Sequence, residues 1–537
     1  MAFVLQDLLT AYKKAKREVF HQNLHLSIRE FVEYEKDLIN NLKSLMGNLN
    51  NKLDFNTDNF TYKSSYFTIV KNINYSNTSD DTLIISNSIK RWDILRSKVE
   101  SIDFRIIPDL DVNVHIIGSL WIDFYGKYLE CDLSDNCFGS RIGNIDSSVN
   151  HFKPYVHDYR TWQQKGLAVI KENFKDKNNV VAITSDFNLF YHHIDPNFLL
   201  SLDEIFAVDL KLTITSDGKY LNKLLRQIIK YWSENTYQEI SDDFKKQFRT
   251  DSHVGIPIGL SASKVIANLL LAKFDEKIER DLNPAYYGRY VDDIFIVLKD
   301  NSKMNSRTDV WNYIAKQISG LTIDFDDIVC YEDVYSESCN LQLNTSKERI
   351  FILNKSGGEE IIKEIEEELK KNSSEWRFIP ESENDFEKLS EEITYSVGDQ
   401  KDSINSLRKA NRISIKRLKF ANYLNKLEEI IRTHPQYFWK EEVKKLIYFV
   451  KTFALSPDVL FDYTQYIPRI LQLVIFTENF KSYLDISELL KLSVSSMRNL
   501  PTSPSYKNEL DKVDEYFNVM IQNSIFSGLK FNSNHGS

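Results

Sequence analysis

The segment Tyr286-Tyr-Gly-Arg-Tyr-Val-Asp-Asp-Ile-Phe-Ile-Val-Leu298 sets two adjacent acids, Asp292 and Asp293, between a short aromatic run and a β-rich run. Tyr, Val, Ile and Phe suit a pleated, half-buried surface, so the pattern predicts a hairpin with the acids in its turn. Neighbouring carboxylates repel and resist desolvation unless a cation neutralises them, which makes this turn a candidate divalent-metal site. Upstream, Val180-Val-Ala-Ile-Thr-Ser-Asp186-Phe-Asn-Leu-Phe-Tyr191 reads as a buried strand that ends in a carboxylate, with an aromatic five residues further on. In isolation Asp186 reads as a solvated cap of the next element. Beside the hairpin acids it reads as a metal ligand. Carboxylates on two neighbouring strands can hold two Mg2+ ions, or Mn2+, about 4 Å apart, one activating a 3′-hydroxyl and one stabilising the leaving pyrophosphate.

The flanks fit a large, helix-rich protein. The chain has 537 residues, which predicts two to four domains. With 42% hydrophobic and 27% charged residues it has ample material for a core, and only 16 Gly and 11 Pro, too few for a turn-rich β-sandwich. A net charge of −9 argues against a protein that coats nucleic acid non-specifically, since such binding needs a basic surface. Local basic clusters remain, at Lys13, Lys14, Lys16 and Arg17 and in Leu407-Arg-Lys-Ala-Asn-Arg-Ile-Ser-Ile-Lys-Arg-Leu-Lys419. In the second, Arg408, Lys409, Arg412 and Lys416 either line a nucleic-acid channel or form a solvated helix face. The four cysteines form no C-x-x-C pair, which suggests a reducing compartment and no structural zinc. The N-terminus lacks the charge order of a signal peptide, and the apolar runs are too short to span a bilayer. The expectation is a cytoplasmic protein with no membrane partner.

Periodicity divides the chain into four parts. Residues 1–100 read as a helical extension, with an Asn- and Ser-rich stretch near its end that predicts no particular element. Residues 101–355 mix short β-rich runs with helical spacings, an α+β pattern. Residues 356–404 begin as a strongly acidic helix and continue as a polar linker. From 405 to 537 nearly everything has helical spacing, punctuated by prolines. That last pattern predicts an all-α domain of stacked helix pairs in the HEAT style, with an irregular bundle as the plainer alternative.

The acids then acquire a context. Asp186-Phe-Asn-Leu-Phe-Tyr191 resembles motif A of reverse transcriptases, Gly255-Ile-Pro-Ile-Gly-Leu-Ser-Ala-Ser263 resembles motif B, and Tyr290-Val-Asp-Asp293 resembles motif C, in the family's order. Leu343-Asn-Thr-Ser-Lys-Glu348 follows where the family carries a motif D lysine. The resemblance covers roughly residues 100–355 and implies the fingers and palm of a right-hand polymerase. It makes Asp186 and Asp292 the principal catalytic metal ligands, Asp293 a supporting acid, and the Phe187 carbonyl a further ligand. It places Tyr191 as the ring that excludes a 2′-hydroxyl, Gly259 beside the nucleotide, Lys347 near the triphosphate, and Arg141 of Phe138-Gly-Ser-Arg141 on the incoming phosphates.

One departure narrows the resemblance. Family members that copy a template usually carry Pro-Gln-Gly in motif B, whereas this chain has Pro257-Ile258-Gly259, and Ile cannot make the Gln hydrogen bond. In this it is similar to the abortive-infection polymerases of bacterial antiphage defence, which join a polymerase to a helical-repeat C-terminal domain. The resemblance implies a DNA polymerase using dNTPs, protein-primed and template-independent, with DNA left covalently attached. It also implies a homo-oligomer. A primer tyrosine is expected among the 28 of the chain, with Tyr12 in its basic helix as the candidate. The alternatives are a reverse transcriptase templated by a bound non-coding RNA, an RNA polymerase on the same palm, and a helical scaffold protein carrying an inactive polymerase domain.

Overall fold

The computed structural model describes residues 2–21, 25–55, 60–76, 88–143, 150–176, 178–205, 214–248, 250, 252–299, 304–333, 336, 339, 341–345, 347–353, 417–500 and 503–533. In chain order these form α1 (Leu5–His21), α2 (His25–Glu35), α3 (Leu38–Asn50), β1 (Ser64–Tyr75), α4 (Ser88–Leu95), β2 (Val99–Leu110), α5 (Val112–Trp121) and α6 (Lys127–Leu129). There follow α7 (Tyr155–Lys175), β3 (Val180–Asp186), α8 (Phe190–His193), α9 (Phe198–Ile205), α10 (Ser216–Glu239), α11 (Asp242–Lys245), α12 (Ser261–Leu270) and α13 (Ala272–Lys277). After β4 (Tyr286–Tyr290) and β5 (Asp293–Lys299) come α14 (Arg307–Ala315), β6 (Leu321–Ile323), β7 (Val329–Tyr331), β8 (Leu341–Gln342) and β9 (Arg349–Leu353). The remainder is helical: α15 (Arg417–Thr433), α16 (Gln436–Phe449), α17 (Leu460–Tyr463), α18 (Ile467–Phe476), α19 (Phe480–Met497) and α20 (Lys507–Ser533). Among the described residues no helix is long and apolar enough to cross a membrane.

Two compact units form, one of Met1–Ser65, Pro108–Glu239 and Lys246–Ser373, the other of Tyr66–Ile107, Ile240–Lys245 and Ser374–Ser537. The first is a mixed α/β unit around an antiparallel sheet of order β4-β5-β3-β9. Every residue of β3 is buried, which accounts for its almost unbroken apolar run Val180-Val-Ala-Ile. Helix α7 packs on this sheet, with the Trp162 ring against Tyr290 and Phe295 and the Tyr286 hydroxyl donating to the Trp162 carbonyl at 2.6 Å. The helix that begins at Ser261 breaks at Leu271, between α12 and α13. A smaller sheet, β6-β7-β8, ends beside β9 in sequence and supplies the loop that carries Lys347.

In the second unit the expected α-helical region is seen from α15 onward. Phe420 sits at its centre, with ring centroids 5.0 Å from Tyr466, 5.3 Å from Tyr463 and 5.7 Å from Phe449. Pro468 falls in the first turn of α18, where a missing N–H removes no helical bond. The helices run from 4 to 27 residues, so a repeat of helix pairs is not marked by constant length. The division near residue 100 expected from sequence falls inside β2. The reason is physical: β1 and β2 pair only with each other among the described strands, and a two-stranded ribbon is marginal unless something covers its face. The cover is the end of the chain. Phe104 packs on Phe244 and Tyr506, Phe67 on Tyr516, and the Thr68 hydroxyl donates to the Glu509 carbonyl at 2.5 Å. The expected acidic helix and linker at 356–404 lie outside the described residues.

Candidate active site

Sheet register brings the sequence-distant acids together. Asp186, last residue of β3, stands directly opposite Asp293, first residue of β5, and Asp292 occupies the β4–β5 turn. The turn is bonded to the segment after β3, since the Phe187 amide donates to the Asp292 carbonyl at 3.3 Å. From the other side the Asn344 amide donates to the Asp186 carbonyl at 2.8 Å and the Asn188 amide to the Gln342 carbonyl at 2.7 Å. Phe187 is buried, its ring edge-on to Phe274. All four stretches expected to carry chemistry belong to the α/β unit, and three of them are tied by backbone hydrogen bonds at this point.

The electrostatics are those of a site short of positive charge. Asp186 is only 5% exposed; its Oδ2 accepts from Lys347 Nζ at 2.5 Å, and its Oδ1 is buried with no hydrogen-bond partner. Burial, and then the charge of Asp186, push the Asp292 carboxyl up to about 6, against the smaller opposing pull of Lys347 and Arg289. Burial disfavours the Lys347 ammonium, but Asp186, Asp292 and Asp293 outweigh it and raise its pKa. One ammonium thus faces three carboxylates and is hydrogen-bonded to one of them, Asp186.

The Gly/Pro segment docks on the turn that follows Asp186. Leu189 takes a left-handed conformation (φ 46°), which starts α8 and carries Tyr191 back across the loop before α12. The Ile256 amide donates to the Tyr191 carbonyl at 2.9 Å, and His192 Nδ1 lies 3.1 Å from the Val254 carbonyl. Gly255 is required here twice over, because φ is +82° and an added Cβ would lie 2.1 Å from the Tyr191 carbonyl oxygen. Gly259 also has positive φ, +101°. Tyr191 and Ile258 are both partly exposed, Tyr191 with its ring against Phe190.

Other expected residues fare differently. Arg141 is committed within its own loop, Nε to Glu130 at 2.5 Å and Nη1 to the carbonyls of Ser134 and Cys137 at 2.7 Å each, so it orders that loop. Tyr12, the expected primer, is buried and stacked on Tyr34 at 5.9 Å, and burial raises its phenol pKa. Arg408, Lys409, Arg412 and Lys416 lie outside the described residues. Sequence reasoning passed over Arg289, Asp275 and Asn268, a buried polar cluster beneath the β4–β5 turn. The signal was present, since Arg289 interrupts a strand otherwise made of Tyr and Gly.

The donor set suits a divalent cation. Asp186 has a buried carboxylate oxygen without a hydrogen-bond partner, and the neighbouring Asp292 carboxyl is raised by burial and then by the Asp186 charge; a bound cation would satisfy both. Among the described residues no three His, Cys, Asp or Glu side chains converge as a ready-made metal cage. No protein-family model matches the chain, and no curated protein matches it.

Proposed function

We propose that the protein is a metal-dependent nucleotidyltransferase, a DNA polymerase of the reverse-transcriptase type in which the α/β unit is the fingers and palm. The observation that carries this reading is the meeting of Asp186, Asp292 and Asp293 at one corner of an antiparallel sheet, with the Gly255–Gly259 loop docked beside them. Asp186 and Asp292 would hold the metal ions and Asp293 would support them. The bound ions supply Lewis-acid activation of the attacking hydroxyl and stabilisation of the departing pyrophosphate. The chain's own groups do the rest. Tyr191, partly exposed beside Asp186, stands where a sugar edge would be read. Lys347, bonded to Asp186, would supply a positioned ammonium able to protonate the leaving group. Ile258 presents an apolar surface where a templating contact would need a polar one, which favours synthesis without a template, in the setting of antiphage abortive infection.

The test is incorporation of labelled dNTPs or rNTPs by the purified full chain with Mg2+ or Mn2+, followed by denaturing electrophoresis with and without nuclease. Label that migrates with the polypeptide without added template supports protein-primed DNA synthesis. Dependence on a copurifying RNA would replace it with the RNA-templated alternative, and rNTP preference with an RNA polymerase. No incorporation under any of these conditions would leave the helical scaffold with an inactive polymerase domain.

A further inference from the structure

Arg289 lies within β4 and is completely buried. Its five N–H bonds are all engaged. Nε and Nη2 donate to the two carboxylate oxygens of Asp275 at 2.7 and 2.6 Å, Nη1 donates to Asn268 Oδ1 at 3.0 Å and to the Val291 carbonyl at 2.6 Å, and Nη2 also reaches the Asn268 carbonyl at 3.3 Å. Asn268 belongs to α12, Asp275 to α13, and Val291 to the turn that carries Asp292. The Tyr287 hydroxyl donates to the same Asp275.

Stability alone is a weak reason for this arrangement, because a buried ion pair is often replaceable by apolar side chains at no loss. The contact that sets it apart is the one to Val291. That residue has φ +59°, a left-handed conformation that a β-branched side chain adopts only under constraint. The constraint comes from two sides. On one, Arg289 holds the Val291 carbonyl. On the other, the backbone of Gly139 presses so close that an added Cβ would lie 2.5 Å from the Val291 nitrogen. The Gly139 loop is fastened to the same arginine residue, with the Phe138 amide donating to the Arg289 carbonyl at 2.7 Å, the Arg289 amide to the Asn136 carbonyl at 2.8 Å, and Asn268 Nδ2 to the Gly139 carbonyl at 2.8 Å.

We propose that Arg289 is a positioning residue: through Val291, and with the Gly139 loop as the opposing jaw, it fixes Asp292 against Asp186 at the spacing a divalent cation needs. This rests on the reading of those acids as a metal site, but its geometric content is readable without any turnover. The strain at Val291 is then held where it orients the next residue, and the α12–α13 pair reaches the acids without touching them.

The experiment uses the full chain and three variants: Arg289→Met with Asp275→Leu, which replaces the pair by apolar side chains of similar volume; Arg289→Lys, which keeps the charge but loses the fork; and Gly139→Ala, which leaves the pair intact and pushes on Val291. Thermal melting, Mn2+ titration by electron paramagnetic resonance, and separate kcat and KM for dNTP are measured. The double variant leaves the Tyr287 hydroxyl, Asn268 Oδ1 and the Val291 carbonyl without these partners and should melt below the parent but stay folded, while Mn2+ affinity falls about tenfold, as for groups that orient metal ligands. Its kcat should fall about 100-fold, the effect of a small misplacement, with KM within about threefold. Arg289→Lys should recover only part of the loss, and Gly139→Ala should reproduce it. A folded double variant with parental Mn2+ affinity and kcat overturns the proposal. If the double variant does not fold, parental Mn2+ binding in Gly139→Ala and Arg289→Lys overturns it equally. A parent that binds Mn2+ through Asp292 but incorporates nothing would sink the polymerase reading while the variants still decide the positioning; a parent that binds no Mn2+ overturns both.

Discussion

The two units bury different things. Among the described residues, the α/β unit hides Lys14, Asp109, His115, His151, Asp186, Asp275 and Arg289, whereas the buried polar groups of the helical unit are, apart from Glu509, mostly Ser and Thr hydroxyls such as Thr464, Thr477 and Ser493. Those hydroxyls find carbonyls at little cost: Thr464 and Thr477 donate within their own helices, and Ser493 donates to Leu455. Buried charges by contrast must each be matched, and at Asp186 the matching is incomplete. The difference separates a unit whose interior holds several charged groups from one whose interior holds mostly apolar side chains and hydroxyls.

The sharpest way to break that contrast is to remove one acid. Asp292→Asn is expected to lower Mg2+-dependent dNTP incorporation by about 1,000-fold or more, because a ligand charge is lost from an otherwise intact hairpin; near-normal incorporation would refute the metal-site assignment. Next in size is a comparison of truncations. Arg289→Ala leaves Asp275 buried and unpaired and should cost about 3–5 kcal/mol, while Ser493→Ala in the helical unit should cost about 1 kcal/mol. Urea denaturation of both variants checks this, and equal losses would remove the distinction between the units.

A smaller effect has the opposite sign. The folded Asp292 carboxyl is raised, by burial and then by the Asp186 charge, to about 6 from its ordinary value of 3.8, so its contribution destabilises the fold progressively as pH rises from about 4 to about 6 and levels off above that. In metal-free buffer, Asp292→Asn should therefore be more stable than the parent by about 1–3 kcal/mol above pH 6, with the gap closing towards pH 4. A gap that is absent at pH 7, or that widens in acid, contradicts this account. Smallest is the sugar edge. Tyr191→Ala should relax preference for dNTP over rNTP by about tenfold, the scale of one lost packing contact; an unchanged ratio in an active variant would mean that the ring serves packing alone.

Much of the α/β site was legible from local pattern. The run Val180-Val-Ala-Ile-Thr-Ser-Asp186 announces a buried strand because alternation fails when both faces are covered, and Tyr290-Val-Asp-Asp293 announces a turn because the acids interrupt a strand-forming text. The ribbon of β1 and β2 was less legible. Its Asn-rich surroundings resemble loops, and what makes it a stable element is cover from residues more than 400 positions away, such as Glu509 on Thr68. The burial of Tyr12 was less legible for a related reason. Its neighbours Lys13, Lys16 and Arg17 suggest a solvated basic face, but helical periodicity turns Tyr12 inward onto Phe31 and Tyr34.

By itself the sequence determined the elements and the residue types at their ends: strand-forming runs finishing in carboxylates, glycines where the backbone must turn, and helices wherever apolar residues recur at three and four. Those are local properties, set by backbone sterics and by which side of an element can leave water. Only the tertiary structure decided that Asp186 faces Asp293, that Lys347 stands in as the counter-cation of Asp186, and that Arg289 joins α12 and α13 to the Val291 carbonyl. Each of these depends on sheet register and on long-range pairing of buried charge. The first two bring together groups more than 100 positions apart, and even Arg289 and Asp275, 14 positions apart, meet only because a strand packs on a helix.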